Sequence, residues 1–201
     1  MAKDIDFFFF IGSTYTYLTV MRIDRVVADV GVQVRWRPFN VRQIMIEQHN
    51  IPFRGKPDKM RYIWRDVQRR AERYDIPFTN EPPYPVDPDN LSNRVGMLAA
   101  EEGWCASYAK ATYRDWFVKG RAPGDLESLT NILVELAKDP AAVLDLANGA
   151  AAQTFETTGG QLDFNFTVTQ KLPMTFSVGL ARGFSSAHEG RTEFMASLKI
   201  L

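Results

Sequence analysis

Ser13-Thr14-Tyr15-Thr16 is the stretch whose residue types and spacing could do chemistry. It follows the apolar run DFFFFI (Asp6 to Ile11) and Gly12, and it leads into a segment with helical spacing. A hydroxyl at a strand-to-helix turn can cap the helix by accepting from a backbone N–H, or it can donate to an anion held there. Both uses stay open for Ser13. A nucleophilic serine would need a general base, yet the stretch is not Gly-x-Ser-x-Gly, and His49 and His188 have no triad context. Ser13 therefore reads as a donor that stabilises the thiolate or oxyanion of another group. With Cys105 the single cysteine, the chain has no Cys-x-x-Cys pair, no internal disulfide and no thiolate zinc cage. A thiol at this site would have to arrive with a cofactor.

The bulk properties narrow the partners. Of 201 residues, 45% are hydrophobic, 24% charged and 12% aromatic, and 24 Lys plus Arg balance 24 Asp plus Glu. A neutral chain lacks the electrostatic footprint of a nucleic-acid or anionic-membrane binder, which leaves a small molecule or another subunit. The start MAKDIDFFFF carries Asp4 and Asp6 where a signal peptide would be basic, and no apolar run is long enough to span a bilayer. These features predict a cytoplasmic protein.

The elements that must position Ser13 begin with Ile5 to Ile11, apolar on both faces like a strand covered by helices on both sides. Leu18, Met21, Val26, Val27 and Val30 then recur at helical spacing up to Gly31, and Val32, Val34 and Trp36 alternate as a strand ended by Pro38. This is a βαβ unit with a parallel pair. Helices are predicted over 57–74, with Met60, Ile63, Trp64, Val67 and Ala71 on one side, and then over 91–102, 106–118, 125–138 and 140–147. Asp125 is a candidate N-cap, and the proline-rich connector from Pro77 to Asn90 reads as a loop lining a site. Residues 162–168 and 174–178 alternate as strands, and 193–201 reads as a closing helix. Strands at both ends with helices between describe an α/β core interrupted by a helical insertion.

The stretch IDFFFFIGSTYTYL, with VRWRPFNV at 34–41, resembles the 2-hydroxychromene-2-carboxylate isomerase family, thioredoxin-like relatives of kappa-class glutathione transferases. In that family serine replaces the first cysteine of the active-site motif, which matches Ser13, and Thr16 falls where the second would be. Asn50-Ile51-Pro52 followed by Lys59, Tyr62, Asp66 and Arg69 also matches the family's order and spacing. The resemblance covers about residues 3 to 150. It implies an α/β fold with a thioredoxin-like core at the two chain ends (1–42 and 160–201) interrupted by an all-helical insertion (43–159), and it implies a homodimer. Ser13 would be catalytic; Asn50 and Lys59 would contact glutathione, although Asn50 equally suits a helix cap and Lys59 a solvated helix face. Asp66 equally suits a pair with Arg69 or Arg70.

The last part departs from the family. Its Gly-x-Pro-Thr-Phe stretch, with a cis proline, is represented here by Leu172-Pro173-Met174-Thr175-Phe176, so Leu172 and Pro173 would meet the cysteinyl part of glutathione. Pro173 could equally begin a strand. The acidic residue that meets the glutathione amino group is not evident near Glu189-Gly190-Arg191, and 155–171 reads as strand and turn where a helix is expected. Divergence that remodels the cofactor site and a shifted reading frame near residue 154 both fit this change. The implied activity is glutathione-dependent cis-trans isomerisation of an aromatic-derived keto acid. Conjugation by a kappa-like transferase, or a non-catalytic thioredoxin-fold binding protein, are the alternatives. Phe10, Tyr15, Phe53 and Trp64 could flank a ring-shaped substrate, but are equally good core residues.

Overall fold

Strand β1 (Lys3–Phe9) and strand β2 (Val32–Pro38) pair in parallel, with Asp6 opposite Arg35 and Phe7 opposite Trp36. The structure, a computed structural model, describes residues 3–49, 53, 55–79, 81–149, 156–168, 172–185 and 188–200. Two units divide the chain, Met1–Gly149 and Ala150–Leu201. Among the described residues, no helix is long and apolar enough to cross a membrane.

In the first unit the alternation of β1 sorts its side chains onto two faces. Phe7 and Phe9 stack at 5.3 Å and meet Trp36 edge-on at 5.3 and 5.4 Å. On the other face Asp6 accepts from Arg35 and Arg37. The apolar run predicts a strand covered on both faces; only one is, because Phe8 is 60% exposed.

The single helix expected after Ser13 is two: α1 (Thr14–Val20) and α2 (Ile23–Val30). The chain leaves helical geometry at Arg22 (φ −121°, ψ −7°), which separates the apolar faces of the two segments. Gly31 ends α2 in the left-handed region that its missing Cβ permits, as expected.

The helical stretch comprises α3 (Val41–Glu47), α4 (Pro57–Tyr74), α5 (Leu91–Glu101), α6 (Cys105–Lys119), α7 (Leu126–Glu135) and α8 (Pro140–Asn148). Helix α4 has the predicted bounds, and Asp125 caps α7 by accepting from the Ser128 N–H. The core lies where α1, α4 and α6 meet. Tyr17 stacks on Phe117 at 4.0 Å, and Trp64, Tyr113 and Trp116 complete an aromatic cluster around them. Helix α5 approaches close at Gly96, where a Cβ would stand 3.4 Å from Ile11 Cδ1 and 3.5 Å from Pro38 Cγ.

The second unit is an antiparallel sheet in the order β3-β4-β5: β3 (Glu156–Val168), β4 (Leu172–Ser185) and β5 (His188–Ile200). The strands expected at 162–168 and 174–178 lie within β3 and β4. Glu156–Gly159 opens β3 rather than closing the helical stretch. Where a closing helix is expected at 193–201, the described residues 193–200 are strand, paired with β4 from Met174↔Ile200 to Gly183↔Arg191. Phe194, Ala196, Leu198 and Ile200 recur every second residue, with Met195, Ser197 and Lys199 between them, a period that suits a strand better than a helix.

Candidate active site

Gly12 turns the chain between β1 and α1 with φ of +143°, and a Cβ there would stand 2.6 Å from Phe10 Cε1. Only glycine fits both the conformation and the approach. The Ser13 N–H donates to the Phe10 carbonyl at 3.1 Å, closing the turn. Ser13 occupies the N-cap position of α1 (φ −88°, ψ 119°), yet its side chain makes no capping hydrogen bond. The capping alternative thus holds for position but not for bonding. Ser13 as a residue is half-buried and stands at the carboxyl end of a parallel strand, the side on which α/β sheets bind ligands.

The turn is held from the helical stretch by residues outside every motif that the sequence analysis singles out. The carboxamide of Asn93 on α5 accepts from the Ile11 N–H and donates to the Ile11 carbonyl, both at 2.9 Å. Asn93 is itself seated against Asp87, whose carboxylate takes the Ser92 N–H at 3.1 Å. Asp87 is 2% exposed, and burial raises its carboxyl above the usual range, partly offset by these bonds. From α6 the fully buried Tyr113 hydroxyl lies 2.9 Å from the Phe10 carbonyl and 3.2 Å from that of Ser13, sharing its one proton between them. Burial pushes the Tyr113 phenol far up, with the Thr16 hydroxyl and the Gly12 backbone pulling part of the way back. Tyr113 therefore stays a donor, and Thr16 stands beside it. The signal available in the sequence is an asparagine inside the buried face of α5, among Leu91, Val95 and Ala99.

Two residues beyond Ser13, Tyr15 donates to the Asp66 carboxylate at 2.8 Å, and Arg70 pairs with the same oxygen at 2.8 Å. Of the two pairings open to Asp66, the structure has Arg70. Burial and then the Asp66 bond push the Tyr15 phenol up to about 12, and the Tyr15 and Arg70 hydrogen bonds hold Asp66 below the usual carboxylate range. Of the Lys59-Tyr62-Asp66-Arg69 set, this contact brings Asp66 to α1, while Lys59, Tyr62 and Arg69 stay exposed. Lys59 lies two turns from Asp66 along α4, about 10 Å at 1.5 Å per residue. It is exposed, with Nζ 5.6 Å above the Phe53 ring, and Phe53, Tyr84 and Trp64 follow as edge-on neighbours at 6.1 and 6.0 Å. Of the four aromatics expected to flank a substrate, Phe10 and Trp64 are buried, Phe53 is half-buried and Tyr15 is 39% exposed.

Asn50 lies outside the described residues, as does Pro52. Leu172 and Pro173 are the first two residues of β4, opposite Val168 and Thr167, in the second unit. Cys105 is buried at the start of α6, and burial pushes its thiol up to about 12, so at neutral pH it holds its proton. A cavity of about 280 Å³ beside it, lined by Val34, Trp36 and Ala100, includes none of the candidate residues.

A short parallel β-α-β start, a hydroxyl in place of a cysteine at the strand-to-helix turn, and a helical stretch packed over that turn define a thioredoxin-like protein without its own redox pair. The model of the DsbA-like thioredoxin domain matches residues 4–159, and the chain belongs to that family. Within it, the similarity runs to isomerases. The 2-hydroxychromene-2-carboxylate isomerase of Pseudomonas putida is 27% identical over 134 residues, 65% of this chain and 64% of that protein. That of Pseudomonas sp. strain C18 is 28% identical over 152 residues, 74% and 69% of the two chains. The chain thus spans just under two thirds of the first relative's length. A solved 2-hydroxychromene-2-carboxylate isomerase matches with a TM-score of 0.63 at 26% identity, over 74% of this chain and 73% of that one. A probable DsbA oxidoreductase from Streptomyces coelicolor shares the fold, with a TM-score of 0.56 at 17% identity over 74% and 69%.

Proposed function

We propose that the protein is a glutathione-dependent cis-trans isomerase of aromatic-derived keto acids, of the 2-hydroxychromene-2-carboxylate isomerase type. The observation that carries the reading is the Ser13 hydroxyl, fixed at the β1–α1 turn and unused for capping, in a chain whose one thiol is buried and protonated. The similarity to isomerases supports the same direction.

Bound glutathione would supply a thiolate nucleophile for the reversible addition on which cis-trans isomerisation of the keto acid depends. Ser13 donates its hydroxyl proton in a hydrogen bond to the sulfur, which favours the thiolate of a thiol whose free pKa is about 8.5. Helix α1 is seven residues long, so the hydroxyl rather than a long helix dipole does most of this. Lys59 offers a charged donor for a carboxylate, with its ammonium held over the Phe53 ring. Asn50, Leu172 and Pro173 are the further residues that the family resemblance offers for glutathione, each a separate candidate, and the proposed acting species is a homodimer in the cytoplasm.

Titration calorimetry with glutathione, near and above neutral pH, tests this. Binding with proton release in the wild type, weakened in Ser13→Ala, supports the reading, and turnover of a hydroxybenzylidenepyruvate without loss of glutathione separates isomerisation from conjugation. Absence of binding at millimolar glutathione overturns it. Light scattering tests the dimer.

A further inference from the structure

The Ser13 turn makes few bonds of its own. Its closing bond runs from the Ser13 N–H to the Phe10 carbonyl, and α1 adds no side-chain cap. A seven-residue helix without a cap is marginal alone, so the direction of the Ser13 hydroxyl depends on groups outside it. Those groups come from α5 and α6, 82 and 100 residues later in the chain.

We propose that Tyr113 and Asn93 are positioning residues of the site: the Tyr113 hydroxyl, bonded to the Phe10 and Ser13 carbonyls, and the Asn93 carboxamide, bonded to both polar groups of Ile11, set the turn that aims Ser13. The helical stretch is therefore part of the active-site construction as well as a covering layer. The geometry separates the two roles. Asn93 extends the end of β1 as a neighbouring strand would, with one acceptor and one donor to the same residue. Tyr113 bonds the Phe10 and Ser13 carbonyls, which bracket Ile11 and Gly12, so the Gly12 conformation is bounded at both ends. Both side chains are fully buried, and water cannot replace either bond without opening the core.

This inference rests on the proposed thiol chemistry, and its test keeps the two apart. Tyr113→Phe removes one hydroxyl and keeps the ring. Tyr108→Phe is the control: it removes an equally buried phenol from the same helix, one bonded to the Ser92 hydroxyl and carbonyl rather than to the turn. In Tyr113→Phe, kcat is expected to fall roughly ten- to hundredfold, the scale of a displaced catalytic group, with KM nearly unchanged. The pKa of the bound thiol, read from thiolate absorbance against pH, should rise toward its solution value. Tyr108→Phe should keep the wild-type profile. A Tyr113→Phe protein with wild-type kcat and pH profile overturns the proposal, as does an equal change in both variants.

If wild type binds no thiol, the functional reading fails and the clamp is tested by amide hydrogen exchange alone. Exchange at Ile11 and Ser13 should then quicken in Tyr113→Phe and not in Tyr108→Phe, and unchanged exchange overturns the clamp. Should Tyr113→Phe not fold, Asn93→Asp sets a carboxylate oxygen against the Ile11 carbonyl and takes its place in both measurements. The same losses of kcat and of exchange protection are then expected, and wild-type values overturn the proposal.

Discussion

Ser13 stands where a helix cap stands but does not bond like one, and that difference can be measured. Replacing a capping Ser, Thr, Asp or Asn by Ala costs typically about 1 kcal/mol, because one backbone N–H loses its acceptor. Asp125 accepts from the Ser128 N–H, and Asp139 accepts from the Ala141 and Ala142 N–H groups. Asp125→Ala and Asp139→Ala should therefore each lose about 1 kcal/mol in denaturant unfolding, whereas Ser13→Ala should lose less than about 0.5 kcal/mol. The activity ranking should be the reverse, with Ser13→Ala the impaired variant. A Ser13→Ala protein as destabilised as Asp125→Ala would show that the hydroxyl caps α1 in solution, and the donor role would lose its main support.

Between elements, the Tyr15–Asp66 bond ties α1 to α4 and carries a pH signature of its own. Asp66 has a lowered carboxyl, so its contribution to stability is complete above the ordinary value near 4 and disappears as pH falls through its lower folded value. Tyr15 has a raised phenol, so its contribution is complete below the ordinary value near 10 and disappears as pH rises through about 12. Tyr15→Phe should reduce stability across that window and flatten the alkaline limb, as read from denaturant midpoints against pH. An alkaline limb unchanged in Tyr15→Phe would mean that the bond is not formed. What is legible in the sequence at this scale is local. The apolar stripe of α4, the alternation of β2, the Gly31 stop and the Asp125 cap are each decided by residues within a turn or two of one another. The break between α1 and α2 is hidden by apolar residues that continue across it, and β5 reads as a closing helix although its two-residue alternation favours a strand. The clamp on the Ser13 turn is illegible for a different reason. Asn93 and Tyr113 act on Ile11, Phe10 and Ser13 only after folding brings α5 and α6 onto the end of β1, and in sequence they look like a helix interior and a core aromatic.

Across the first unit, charge is unevenly placed although the chain is neutral. Helix α4 carries Lys59, Arg61, Arg65, Arg69, Arg70 and Arg73 against Asp58, Asp66 and Glu72. Asp58 pairs with Arg61 and Asp66 with Arg70. That leaves Lys59, Arg65, Arg69 and Arg73 against Glu72, a net cationic excess of three on a helix whose Asp66 touches α1 beside the Ser13 turn. Such a stripe adds little to stability, since exposed charges are well hydrated. Its field reaches further, and the keto acid and glutathione of the proposed reaction are both anions at neutral pH. The stripe should therefore raise their encounter rate, in an amount set by the Debye length, which falls from about 30 Å at 0.01 M salt to about 3 Å at 1 M. The kcat/KM for the keto acid should drop roughly three- to tenfold over that range. Arg65→Glu with Arg73→Glu, at exposed positions outside the candidate site residues, should lower kcat/KM at low salt, leave kcat in place and flatten the salt dependence. Stopped-flow rates at several ionic strengths check this: a kcat/KM that ignores salt in the wild type would leave the α4 cations as a solvated face with no part in substrate capture.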